Sequence, residues 1–340
     1  MQKILQAWAQ GAKPQPSEVQ QLAVAELADT QRAAAFGVTP DTVTEMIQQR
    51  SQFFQSLLKQ SDRLPNLPHR LTLLWTLWLP LATQLIQQYQ VLGHPLVQGL
   101  LGGQGTGKTT LGQALTVILE HLGYRMLSFS IDDLYKTYHE REQLRQQDPR
   151  LIWRGPPGTH DVEFGIQVLD QLRHPKAGQL IEIPQFDKSL WQGAGDRIES
   201  KWIEPVDIIL FEGWFVGCRP INIIQFETAP HPIITETDRQ FARDINQKLY
   251  DYLPLWQCVD RLMILNPVDY RLSKQWRKQA EQKMIATGKS GMSEVEIDQF
   301  VDYFWKALHP EFFIHPLVKN RAIADLVVEI NGDHSVGQIN

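Results

Sequence analysis

The stretch Leu96-Val97-Gln98-Gly99-Leu100-Leu101-Gly102-Gly103-Gln104-Gly105-Thr106-Gly107-Lys108-Thr109-Thr110-Leu111-Gly112-Gln113-Ala114-Leu115 decides the fold. A short apolar run, as of a buried strand, enters a glycine-rich loop that matches G-x-x-x-x-G-K-[ST] and continues into a helix-forming segment. Glycines let the backbone curl until successive N–H groups face one point, and the helix N-terminus adds partial positive charge there. Gly102, Gly103, Gln104, Gly105, Thr106, Gly107, Lys108, Thr109 and Thr110 are therefore expected to cradle the phosphates of a nucleoside triphosphate, ATP with Mg²⁺. Lys108 reaches the β- and γ-phosphates and Thr109 offers its hydroxyl to the metal. The competing reading is a plain glycine turn, which gives no reason for Lys and Thr directly after the last glycine.

Outward from this loop, apolar runs recur at 96–101, 125–130, 180–184, 206–211, 261–265 and 325–330, with helical segments between them. That alternation predicts an α/β fold, a three-layer α/β/α arrangement around a mostly parallel sheet. Residues 1–90, rich in Gln, Leu and Ala, read as an all-helical N-terminal extension packed on the core. Pro65, Pro68 and Pro80 are expected to mark boundaries or kinks there, because proline lacks the N–H and disfavours helix just before it. Within the domain at 91–340, a substrate loop is expected at about 150–200, most mobile around 188–200, and a lid at about 268–300.

A formal charge of −5 offers no general attraction for nucleic acid or an anionic membrane. Cys218 and Cys258 lack any CxxC spacing and read as reduced packing residues. The N-terminus has no secretory pattern, and the apolar stretch from Leu71 to Ile86 is broken by Pro80 and too short to span a bilayer. These features point to a cytoplasmic protein with a small-molecule ligand.

A phosphate loop needs a carboxylate across the sheet to hold the metal, and Glu212 stands at the end of the run Val206-Asp207-Ile208-Ile209-Leu210-Phe211. Ser130-Ile131-Asp132-Asp133-Leu134-Tyr135 places paired acids where another strand ends, at the edge on which open α/β sheets bind ligands. Asp132 suits a general base that takes a hydroxyl proton, and with Lys108 it completes the catalytic pair; Asp133 suits either the metal or a helix N-cap.

These motifs, together with Arg154-Gly155-Pro156-Pro157-Gly158-Thr159-His160-Asp161, Pro184-Gln185-Phe186-Asp187-Lys188-Ser189, Gly195-Asp196-Arg197 and Phe211-Glu212-Gly213-Trp214, resemble the D-glycerate 3-kinase family of plants and fungi. That family is related to the uridine kinase, pantothenate kinase and phosphoribulokinase group of P-loop kinases. The likeness continues through Asn246-Gln247-Lys248-Leu249, Trp276-Arg277-Lys278-Gln279-Ala280-Glu281 and Gly291-Met292-Ser293, and covers residues 95–330. It implies a P-loop kinase fold and the reaction ATP + D-glycerate → ADP + 3-phosphoglycerate, the step that closes photorespiratory glycolate recycling. Phe186 stands where the wider group often has tyrosine, so a hydroxyl contact is absent there, and no functional residue carries over to the first 90 positions.

A small acid calls for Arg or Lys at its carboxylate, and Arg154, Lys188 and Arg197 are the choices, with His160 and Asp161 at the hydroxyls and Asp187 beside Lys188. Each has a structural alternative: a solvated charge, an ion pair, or a packed histidine. Excluding water from the transfer calls for a basic lid, for which Arg271, Lys274, Arg277, Lys278 and Lys283 are suited, Arg277 being placed at the phosphates. The alternative for these is an exposed amphipathic helix. Asn266-Pro267-Val268-Asp269 imitates a guanine-reading motif but lacks its lysine, which argues against a GTPase switch. Another acceptor (a nucleoside, pantothenate or a sugar phosphate) and a nucleotide-binding regulatory protein remain the rival readings.

Overall fold

The computed structural model describes residues 1–286 and 291–340. Its strands are β1 (Leu96–Gly102), β2 (Met126–Ser130), β3 (Ile181–Asp187), β4 (Asp196–Ile203), β5 (Ile208–Gly213), β6 (Arg261–Pro267), β7 (Leu326–Ile330) and β8 (Val336–Ile339). Six of them form one sheet in the order β2-β5-β1-β6-β7-β8. All its pairings are parallel except β7 with β8.

The two-residue period of each central strand divides its side chains between two cores. Leu96 and Leu100 of β1, Ile208 and Leu210 of β5, and Met263 and Leu265 of β6 face one core. Val97 and Leu101, Ile209 and Phe211, and Leu262 and Ile264 face the other. Strands buried on both sides read as continuous apolar runs, which is why the sequence showed them. The first core also contains Leu5, Trp8, Leu22, Ile47, Phe54 and Trp75, so the N-terminal helices and the sheet share one continuous interior. Trp8, Phe54 and Trp75 meet edge to face at centroid separations of 5.7 to 6.2 Å, the arrangement that ring quadrupoles favour.

The structure departs from expectation at several points. The run at 180–184 is not part of the main sheet: β3 pairs antiparallel with β4 in a separate hairpin. The polar stretch around 188–200 is not one long loop but a turn followed by β4. Its backbone groups find partners across the hairpin, and one side faces solvent, so no apolar run announces it. Pro80 marks a change of helix type, not an end: a π-helical turn, Leu74–Trp78, runs directly into the helix Leu79–Leu92, of which Pro80 is the second residue, and Arg50 donates to the Trp75 carbonyl within that π turn.

The expected lid at about 268–300 corresponds to the helices Leu272–Ala286 and Glu294–Ala307; its residues 287–290 lie outside the described residues. Among the described residues no helix is long and apolar enough to cross a membrane.

Candidate active site

Strand register brings the chemistry together. Glu212 of β5 lies beside Leu100 of β1 and Ser130 of β2, so the end of β5 sits between the phosphate loop and the Asp132-Asp133 turn. All three ligand-bearing segments thus leave the sheet at its carboxyl edge, as open α/β sheets require.

The loop from Gly102 ends at the helix Lys108–His121. Gly105 has φ +78°, and a Cβ there would lie 2.6 Å from Cβ of Trp276, so only glycine allows the helix Leu272–Ala286 to press on the loop. Lys108 Nζ donates to the carbonyls of Gly102 at 2.8 Å and Gly103 at 3.2 Å, and lies 3.8 Å from Glu212 Oε2. Burial lowers the Lys108 pKa, and the charges of Glu212 and Asp132 oppose that shift. Thr109 is exposed in the first helical turn.

Glu212 Oε2 is buried and has no hydrogen-bond partner among the described residues, its long ion pair with Lys108 apart. A buried carboxylate oxygen left unsatisfied next to the phosphate-loop lysine is a hard-oxygen donor of the kind Mg²⁺ takes, which fits what is expected of Glu212. Gln104 Oε1 is likewise buried without a partner.

Asp132 is half-buried. Its Oδ2 accepts from Lys188 Nζ at 2.6 Å and its Oδ1 from the Tyr135 hydroxyl at 2.9 Å. Burial pushes this carboxyl up, but the Lys188 ammonium and the Tyr135 hydroxyl together bring it below its ordinary value, so it stays ionised. Asp133 is engaged differently. It closes a capping box with the Ser130 N–H at 3.2 Å, and burial, with Asp132 next to it, raises its pKa to about 6. Asp133 is not itself the N-cap, which is Ser130, but the acid at the third position that completes its capping box.

His160 is 2% exposed. The Tyr252 hydroxyl accepts from the Gly158 N–H at 2.9 Å and lies 2.8 Å from His160 Nδ1, a contact in which the ring tautomer sets the donor. Burial takes the imidazole pKa down to about 3, so the ring is neutral. That Nε2 is buried and unpartnered among the described residues, and the Asp132 charge acts on the ring. Tyr135 stacks on the imidazole at 4.6 Å.

The remaining residues divide. Arg197 donates to the Tyr135 carbonyl at 2.8 Å and to Asp161 Oδ2 at 3.0 Å, while Asp161 also caps the helix Val162–Arg173 through the Phe164 N–H. These two tie the hairpin to the core. Asp187 accepts from the Ser189 N–H and hydroxyl and shapes the hairpin turn. Arg277 pairs with Glu281 at 3.0 Å and lies over the Phe300 ring, in the seam between the helices Leu272–Ala286 and Glu294–Ala307; it is Trp276, its neighbour, that reaches the phosphate loop. Of the other basic residues on this segment, Lys274 pairs with Asp302, and Lys278 with Asp298 and Glu294. An apolar cavity of about 70 Å³, lined among others by Gly103, Trp214, Tyr270, Phe304 and Trp305, opens beside the loop.

Arg154 donates to the carbonyls of Gly193 and Ala194 and lies over both Tyr135 and Phe186. Sequence reasoning missed its companion Arg141, which lies over the same Phe186 ring and donates to Lys136, Ala194 and Gly195 carbonyls. Nothing in Tyr138–Gln147 separates Arg141 from Arg145, which merely pairs with Glu142. Tyr252 was also missed: its link to the Gly158–His160 loop spans more than ninety residues of sequence.

No family model matches the chain. A curated D-glycerate 3-kinase of Arabidopsis thaliana, described as chloroplastic, is 32% identical over 64% of the chain, which spans 49% of that longer protein. An uncharacterised kinase of Schizosaccharomyces pombe is 33% identical over 62% of the chain and 79% of its own length. The solved D-glycerate 3-kinase of Cryptococcus neoformans superposes with a TM-score of 0.69 at 28% identity, over 76% of this chain and 96% of that one. With its phosphate loop, opposed carboxylates and this likeness over most of a relative's length, the chain belongs to the D-glycerate 3-kinase family of P-loop kinases.

Proposed function

We propose that the chain transfers the γ-phosphoryl group of ATP to D-glycerate, giving ADP and 3-phosphoglycerate. The observation that carries this reading is the placement of an ionised Asp132 between Lys188 and Tyr135, within the charge field of the half-buried Lys108, at one edge of the sheet. The N–H groups of the phosphate loop and Lys108 hold the triphosphate. Thr109 and Glu212 are the residues to hold Mg²⁺, which when bound neutralises charge gathering on the bridging and leaving oxygens.

Asp132 orients the acceptor hydroxyl and receives its proton. A carboxylate kept below its ordinary pKa is a weak base, and that suffices: transfer passes through a loose transition state in which positioning outweighs early proton removal. His160 is neutral, and its unpartnered Nε2, in the tautomer that carries the proton there, is a buried donor for an oxygen of the acceptor. A carboxylate or hydroxyl there satisfies a group that is otherwise orphaned.

The test is ADP release coupled to a panel of acceptors, D-glycerate first, with the phosphorylated carbon identified by NMR. D-Glycerate-dependent ADP release and phosphate on carbon 3 support the reading. Release only with a nucleoside, pantothenate or a sugar phosphate overturns it.

A further inference from the structure

Arg141 and Arg154 are two cations without an ion pair among the described residues. Both guanidiniums lie over the Phe186 ring, Arg141 at 5.2 Å and Arg154 at 5.6 Å. Their donors converge on the main-chain carbonyls of one turn: Gly193 and Ala194 for Arg154, Ala194 and Gly195 for Arg141. Asp196, the acid of that turn, is instead held by the Tyr138 N–H at 2.7 Å and the Trp191 indole at 2.8 Å.

Neutral carbonyls satisfy the N–H groups of a guanidinium without pairing its charge, and two such charges side by side repel. Arg141 feels this, its pKa being lowered first by burial and next by Arg154, with the charge of Asp196 acting the other way. The turn itself is wound against preference, with Trp191 at φ 51° and Gln192 at φ 56°, ahead of Gly193 at 93° and Gly195 at 73°. A planar anion offers the same donors two oxygens and a negative charge, the geometry that guanidinium forks match best.

The position suits one end of a small acceptor. Arg154 lies over Tyr135, 5.9 Å from its ring centroid, and the hydroxyl of that same side chain holds Asp132. One tyrosine therefore links Arg154, and through it the cation pair, to the carboxylate assigned as base. Resting on the acceptor reading above, we infer that Arg141 and Arg154 together bind the acceptor's carboxylate, taking it in place of the carbonyls of Gly193, Ala194 and Gly195.

The experiment measures kcat/KM of the full chain for D-glycerate and for glycerol, which lacks the carboxylate, in the wild type, Arg141→Gln and Arg154→Gln. Losing a charged hydrogen-bond pair should lower the preference for D-glycerate over glycerol by roughly 10- to 100-fold. An unchanged ratio, with both acceptors affected equally, would show that the arginines only hold the turn and overturns the inference. Arg141→Lys and Arg154→Lys, which keep the charge but lose the fork, serve where a Gln variant melts early, and should lower the same ratio by a smaller factor. Failure of the wild type to use D-glycerate at all would instead overturn the proposed function, whereas wild-type turnover with an unmoved ratio in the variants sinks this assignment alone.

Discussion

The two halves of the proposed site are built in opposite ways. The donor half comes almost entirely from one uninterrupted segment, Gly102 to Thr110, with Glu212 added by strand register. The acceptor half is assembled from pieces scattered over the chain: Asp132 and Tyr135 after β2, Arg141 in a helix, Arg154 and His160 in a loop, Lys188 in the hairpin and Tyr252 far downstream. Binding triphosphate uses backbone N–H groups, which any chain has and glycine merely exposes. Recognising a small acid needs particular side chains at particular angles, and those can come from anywhere.

The comparison predicts different failures on the two sides. The largest expected effect is in the reacting pair: Asp132→Asn should lower kcat by about 10²- to 10⁴-fold while ATP binding, followed by calorimetry, changes little. Full turnover in that variant would break the assignment of Asp132 to the acceptor half. Next, Glu212→Gln should raise the Mg²⁺ concentration for half-maximal activity by roughly 10- to 100-fold, seen in a metal titration at saturating ATP. An unmoved titration would place the metal elsewhere.

Smaller effects are expected where the acceptor half is only braced. Arg197→Met removes the tie between the hairpin and Asp161 and should lower unfolding stability by about 1–3 kcal/mol, measured by denaturant melts. A loss of D-glycerate affinity without a loss of stability would move Arg197 to the substrate.

The subtlest readout is pH. Unfolded, His160 takes a proton below about 6.5; folded, it does so only near 3. The unfolded state then binds more protons in that window, so this group's contribution falls as pH drops from 6.5 toward 3. Asp133 acts in the opposite sense: folded, it keeps its proton up to about 6 against 3.8 unfolded, so its contribution falls as pH rises through that interval. His160→Asn should therefore flatten the acid side of the stability profile, and Asp133→Asn should remove the decline between 3.8 and 6. Parallel profiles for wild type and both variants would mean that neither group is perturbed.

The legible parts of this molecule are those in which local sequence and local geometry coincide. Strands buried on both faces gave continuous apolar runs, and the phosphate loop had its glycines, lysine and threonine at fixed spacing. β4 and β8 were not legible, because a hairpin edge and a four-residue terminal strand obtain their partners from pairing rather than from an apolar run. Pro80 did mark a boundary, but only the structure shows that it is a change from a π turn to an α-helix and not an end.

Residue type alone could not rank the basic residues either. Arg154, Arg197 and Arg277 look alike in sequence, yet one faces main-chain carbonyls, one an aspartate and one a glutamate in its own helix. By itself the sequence determined the α/β fold, the phosphate loop, the acids at the strand ends and the family likeness, since each is encoded within a few consecutive residues. Only the tertiary structure decided which polar groups are orphaned and which are paired: the unpartnered Nε2 of His160, the bracing role of Arg197 and Asp161, and the joining of Arg141 to Arg154. The physical reason is that hydrogen-bond satisfaction and burial depend on neighbours distant in sequence, which come together only when the chain has folded.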